Sequence, residues 1–219
     1  MPTLVIVGAQ WGDEAKGKLV DFLGSDADLV VRYAGGNNAG HTVIADGKEF
    51  KFQLIPSAIT HQNVTAVLGG GMVVCPKGLL DELDRTRNLK SVLGELRISG
   101  AAHVVFPYHR LLDALEEEAR GNDKIGTTSR GIGPAYQDKV ARIGIRMSEF
   151  VSPERFKSRL HSVLDYKNRL LKLLGGDLAA GHEHLPAEEM PAQVHRPLRA
   201  VDFDPRGALE PVGHPVGVD

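Results

Sequence analysis

The chain has 219 residues, enough for one sizeable domain or a domain with an appendage, and its 42% hydrophobic and 25% charged residues make an ordinary globular mix. A formal net charge of −2 gives no electrostatic reason to expect nucleic acid or an anionic membrane as partner, so an anionic ligand needs a local site. The single cysteine excludes an intrachain disulfide, and neither a signal core nor an apolar run of roughly 18 residues is present, which makes a reducing cytoplasm the default.

Residues 3–8 form an apolar, β-branched run ending in glycine, which predicts a buried strand of a parallel or mixed sheet. A glycine-rich turn follows, then a helix through 18–23 that stops near Gly24. Residues 28–33 predict a second strand, running into a polar turn at 35–40. Segments 41–45 and 48–54 flank Asp46-Gly47, a two-residue hairpin signal. Another strand is predicted at 64–68, and Cys75, between Val74 and Pro76, reads as a small buried hydrophobe. Helices over 77–88 and 108–120 alternate with short strands at 96–98 and 103–106. The last helix is the clearest: Ser152 can cap it, Pro153 suits its first position, and Gly175-Gly176 can end it. Phe156, Leu160, Val163, Leu164, Leu170, Leu171 and Leu174 fall largely on one of its faces. Strands and helices in alternation predict an α/β fold with a mostly parallel sheet flanked by helices.

After Gly176 the character changes. The final 43 residues hold six of the twelve prolines, four of the nine histidines and no lysine. Such a segment buries little and predicts a loose, irregular tail over 176–219, and its His182 and His184 read as solvated rather than as metal ligands.

Three turns carry the chemistry. Gly12-Asp13-Glu14-Ala15-Lys16-Gly17-Lys18 has the spacing of a phosphate-binding loop, between a predicted strand and a helix. Glycines let successive N–H groups point at phosphate oxygens, and the helix N-terminus adds a favourable dipole. Leu19 stands where such loops carry a magnesium-binding hydroxyl, so either no metal binds or another oxygen replaces it, with Asp13 as the candidate. The second turn, Gly35-Gly36-Asn37-Asn38-Ala39-Gly40-His41-Thr42, sets donors on flexible backbone after a strand. His41 there is either a general acid or electrostatic donor, or a solvated loop histidine. The third, residues 125–136, places Thr127, Thr128 and Ser129 before Arg130, which suits a phosphate monoester. Lys139, Arg142 and Arg146 follow as a basic series that reads equally well as a solvated face.

These three blocks, in their order and separation, closely resemble adenylosuccinate synthetase, and the resemblance runs to roughly residue 170. It implies a P-loop-NTPase-like fold, incomplete relative to the family, over residues 1–175. It also implies a ligase of purine biosynthesis that joins IMP and L-aspartate with GTP as co-substrate. Asp13 and His41 are the implied catalytic pair. Gly12, Asp13, Glu14, Ala15, Lys16, Gly17, Lys18, Gly40, His41 and Thr42 would hold GTP. Asp13, Glu14, Ala15, Lys16, Asn38, Ala39, Gly40, His41, Thr128 and Arg142 would hold IMP, and Asp13 with the Gly40 carbonyl would hold Mg2+. Arg142 matches an arginine that reaches the partner's site, implying a homodimer.

Two departures stand out. Ala15 and Ser129 replace glycines of the family pattern, the second being the milder change if its φ is negative. Family members are also roughly twice as long. The tail reads like a GC-rich gene translated in the wrong frame, which predicts a truncated or frameshifted product that either acts as the ligase or is an impaired remnant limited to nucleotide binding or dimerisation.

Overall fold

The computed structural model describes residues 3–9, 14–90 and 93–175, together with the backbone of 200–203 and 209–211. Helix α1 (Lys16–Gly24) leads into strand β1 (Leu29–Gly35). The hairpin β2 (His41–Ala45) and β3 (Lys48–Phe52) closes on Asp46 and Gly47, at φ of 51° and 70°. Both are left-handed, as a two-residue turn matching strand twist requires. A 3-10 turn at Ser57–Thr60 precedes β4 (Thr65–Val74) and α2 (Pro76–Leu89). Then come β5 (Glu95–Ser99), β6 (His103–Val104), α3 (Pro107–Ala119), α4 (Ile132–Val140), α5 (Met147–Phe150) and α6 (Pro153–Leu173). Backbone strands β7 (Ala200–Phe203) and β8 (Leu209–Pro211) extend the sheet.

The main sheet runs β1-β4-β5-β7-β8, with β6 also paired to β4; every pairing is parallel except β7 with β8. The predicted α/β class with a mostly parallel sheet is therefore the observed one. Strand β4 is longer than predicted because it continues through Gly69-Gly70-Gly71. Its first half pairs with β5 up to Leu68 and its end pairs with β6 from Val73, so the glycines occupy the changeover. On the other edge β1 bulges between Arg32 and Ala34. A Cβ on Gly71 would lie 2.0 Å from the Tyr33 carbonyl oxygen, so no other residue fits there.

A single large cluster, including Phe50, Phe52, Leu54, Ile55, Ile59, Leu68, Met72, Leu79, Ile98, Phe106 and Phe156, forms the core. Phe106 stacks on Phe156 with centroids 6.0 Å apart, and Phe150 meets Phe156 edge-on at 5.1 Å. Each such ring contributes about 2–3 kcal/mol by leaving water. Buried Glu82 of α2 accepts the N–H groups of Gln53, Leu54 and Ile55, while Arg32 donates to the Gln53 and Leu54 carbonyls. One extended segment thus has both sides of its backbone bonded by opposite charges. Burial raises the Glu82 carboxyl and lowers the Arg32 guanidinium, each opposed by the other's charge.

Three expectations need correction. Residues 3–8 are not a strand: they carry no regular structure, and Leu4, Val5 and Val7 are 65–69% exposed. Strand β1 is the edge of the sheet, bonded only to β4, and no strand lies beyond it among the described residues. Ser152 makes no side-chain cap; its carbonyl accepts the Phe156 N–H instead. Cys75 is half-buried, packed against Val73, Val105 and Ala135. The tail's His182 and His184 lie outside the described residues. No helix among the described residues is long and apolar enough to cross a membrane.

Candidate functional site

The first turn enters α1 through Ala15, whose φ of 59° and ψ of 22° are left-handed. The Ala15 carbonyl accepts the N–H groups of Lys18 and Leu19, beginning the helix. Gly12 and Asp13 lie outside the described residues. Glu14 folds back: it accepts the Ala9 N–H at 3.0 Å and pairs with Lys16 at 2.5 Å. Lys18 is exposed. The buried hydroxyl of Ser57 donates to the Gly17 carbonyl at 2.6 Å, and Thr60 and His61 both hold Asp21. The 3-10 turn therefore fixes the start of α1.

Gly17 is where the first turn meets the second. A Cβ there would stand 2.6 Å from Cβ of His41, 2.9 Å from its Cγ and 3.3 Å from its Nδ1. The half-buried imidazole thus lies directly on the helix start, with only glycine's hydrogen between them. A loop histidine free in solvent is not what the structure shows. Asn38, Ala39, Gly40 and Thr42 are exposed beside it.

The second turn meets the third on its other side. Arg130 Nη1 donates to the Asn37 carbonyl at 2.5 Å, and Ile132 Cδ1 would be 2.6 Å from a Cβ on Gly36. The guanidinium expected to meet a phosphate thus has one donor bonded to protein backbone. Lys139 also departs from a solvated basic face: its Nζ donates to the Gly70 carbonyl at 2.5 Å, and burial lowers its pKa, with Arg146 adding to the effect. Thr128 is exposed, in a loop tied down by Glu117, which accepts the Gly126 N–H at 2.6 Å. Ser129 has φ of 52°, so the condition for its being a mild change is not met. Arg142 is exposed at φ of 61°, its carbonyl accepting from Arg159 Nη2 at 3.1 Å.

Behind the third turn sits a buried cluster that the sequence did not signal. His109 Nδ1 accepts the Phe106 N–H, so its proton is on Nε2, which donates to Asp138 Oδ2 at 2.9 Å. Lys167 Nζ pairs with the other Asp138 oxygen. Burial lowers His109 despite the adjacent carboxylate, and the hydrogen bonds from His109 and Lys167 hold Asp138 low against its own burial. Asp113, also buried, accepts the Gly131 N–H at 2.8 Å and so sets the left-handed residue that opens α4.

No group of three or more His, Cys, Asp or Glu side chains converges as a metal set among the described residues. Gly40 is exposed, and a Cβ there would meet nothing nearer than Phe52 O at 3.9 Å, so space is open around its backbone. Its carbonyl fits as one hard oxygen ligand for a cation whose remaining ligands are a carboxylate, phosphate oxygens and water.

Comparison of the chain with known proteins points to one family. The adenylosuccinate synthetase family model covers residues 5–200. The adenylosuccinate synthetase of Desulfitobacterium hafniense is 57% identical over 176 residues, and that of Heliobacterium modesticaldum 55%; each match takes in 80% of this chain. The chain spans about two fifths of the length of these relatives, 41% in both cases. Among solved structures, fully ligated adenylosuccinate synthetase from Plasmodium falciparum superposes with a TM-score of 0.71 at 34% identity, covering 85% of this chain and 42% of that one. A cyanophage S-2L succinoaminodeoxyadenylate synthetase bound to dGMP and dATP reaches 0.52 at 31% identity, covering 65% and 39%.

Proposed function

The chain belongs to the adenylosuccinate synthetase family, and from that premise we propose that it carries the nucleotide-handling part of a GTP-dependent ligase joining IMP and L-aspartate. The observation that supports this most is the apposition of Gly17 and His41, which sets an imidazole on the N-terminus of the helix that follows a phosphate-loop sequence. An N-terminus with backbone N–H groups is an anion site, and a histidine on its rim suits charge developing on a transferred phosphoryl oxygen.

In this reading Gly12–Lys18 and Gly40-His41-Thr42 hold the GTP phosphates, while Asn38, Thr128 and the loop carboxylates hold IMP. Asp13 takes the N1 proton of the purine, and O6 then attacks the γ-phosphorus as the bond to GDP breaks. His41 steadies the oxygen that gains charge. The amine of aspartate afterwards displaces the 6-phosphoryl group as phosphate, losing its proton, so one hard substitution becomes two easier ones. Magnesium on Asp13 and the Gly40 carbonyl would neutralise phosphate charge. Exposed Arg142 would reach the partner's IMP site in a homodimer.

A second reading has its own support: an impaired remnant that binds nucleotide or dimerises without turnover. Residues 3–8, whose composition suits a buried strand, lie outside the sheet beside the phosphate-loop sequence. Calorimetry with GTP and IMP, followed by a phosphate-release assay with aspartate, separates the two. Aspartate-dependent product supports the ligase, binding without turnover the remnant, and hydrolysis independent of IMP a generic nucleotidase.

A further inference from the structure

The segment from Gly35 to Asn37 lies between the two halves of the site, and side chains from three places hold its backbone. Gly35 N–H donates to the Tyr136 hydroxyl at 2.7 Å, Gly36 O accepts from Arg32 Nη2 at 2.9 Å, and Asn37 O accepts from Arg130 Nη1 at 2.5 Å. Tyr136 differs from the two arginines because its single oxygen both accepts and donates. It stands 2.9 Å from the Gly71 carbonyl and 3.3 Å from that of Gly35. A hydroxyl has one proton, so the shorter contact to Gly71 takes it, while a lone pair receives the Gly35 amide. The bond therefore joins α4 to both strands at the bulge, where Gly71 and Tyr33 are pressed together. Tyr136 lies one turn beyond Ile132, whose side chain packs on Gly36, and the loop carrying Thr127 and Thr128 runs into the same helix.

We infer that the Tyr136 hydroxyl is a positioning group that fixes the 35–41 segment against α4, and so sets the spacing between Asn38 and His41 on one side and Thr128 on the other. Its proton and its Gly35 contact are committed to backbone, so it acts on ligands through the groups it holds. The consequence for binding rests on the nucleotide site proposed above.

Y136F in the full chain removes one oxygen and keeps the ring. Without its acceptor, the Gly35 amide exchanges at least tenfold faster, while amides in the middle of β4 and α6 keep their wild-type rates. In calorimetry, the IMP affinity measured with GTP present falls about tenfold, the size expected when a hydrogen-bonded link is lost, while GTP alone changes less than threefold. A lower melting temperature with unchanged Gly35 exchange and unchanged IMP–GTP coupling would overturn the inference. In the wild type, a Gly35 amide exchanging as fast as an open loop would overturn it as well, whether or not Y136F folds. If the wild type binds neither nucleotide, the functional reading fails, and the exchange rates still decide whether Tyr136 holds the segment.

Discussion

Ala15 and Ser129 hold φ of 59° and 52°, in the left-handed region where a Cβ crowds the following carbonyl. The penalty is about 1–2 kcal/mol per residue. Glycine in their place removes it and gives back about 0.4–1 kcal/mol through a freer unfolded chain. A15G and S129G should therefore each stabilise the protein by roughly 0.5–1 kcal/mol in urea denaturation. Destabilisation in both would show that their surroundings favour the side chain more than the backbone resists it.

His103 sets a second expectation at this scale. Burial foremost, then the charges of Lys139 and Arg146, lower its pKa from 6.5 to about 4, against weaker support from the Ala101 backbone and Glu149. Above pH 6.5 the ring is neutral folded and unfolded, and its contribution is complete. As pH falls from 6.5 towards 4 the unfolded chain takes the proton first, so stability drops, by at most about 3 kcal/mol. H103N should remove part of that slope between pH 7 and 4.5. His109, lowered in the same direction, leaves a remainder. A slope identical to wild type would contradict the assignment.

At the scale of elements, α4 is the connection between chemistry and core. Its N-terminal side touches the second turn, its Tyr136 and Lys139 bind the glycines of β4, and its Asp138 joins α3 and α6 through His109 and Lys167. D138N leaves the Lys167 ammonium buried without its counter-charge and should cost about 3–5 kcal/mol. D138N with K167M should recover most of this in denaturant titrations, since neither charge of the pair then remains; additive losses would refute the pairing. Little of this was legible beforehand. Lys167 falls among the apolar positions of α6, and its burial depends on a carboxylate 29 residues away. The glycine and hydroxyl cluster at 125–136 read as a turn because glycines and Pro134 hide a helix begun by a left-handed Gly131. The hairpin at Asp46-Gly47, the helix expected over 77–88 and found at Pro76–Leu89, and the buried stripe of α6 were legible because local geometry decides them. The strand expected at 3–8 was not a failure of its residues, which suit a strand; pairing depends on neighbours that sequence periodicity does not count.

For the whole molecule the largest consequence is apolar surface. Leu4, Val5 and Val7, Phe22 of α1, and Leu29, Val31 and Tyr33 of the edge strand face solvent. Exposed apolar residues on a strand with one open edge favour association. The full chain should bind a solvatochromic hydrophobic dye and sediment with concentration-dependent mass. V31K should lower both, and a monodisperse wild type with no dye signal would contradict this.

In the proposed function the start of α1 and His41 together form a phosphate site. Titrating GTP into the folded wild type and into G17A addresses it directly, because the added methyl would meet His41 at 2.6 Å. A phosphate site there gives saturable binding by the wild type and at least tenfold weaker binding by a G17A protein that is still folded. Equal affinity in the two, or no heat from a folded wild type at millimolar GTP, would contradict it.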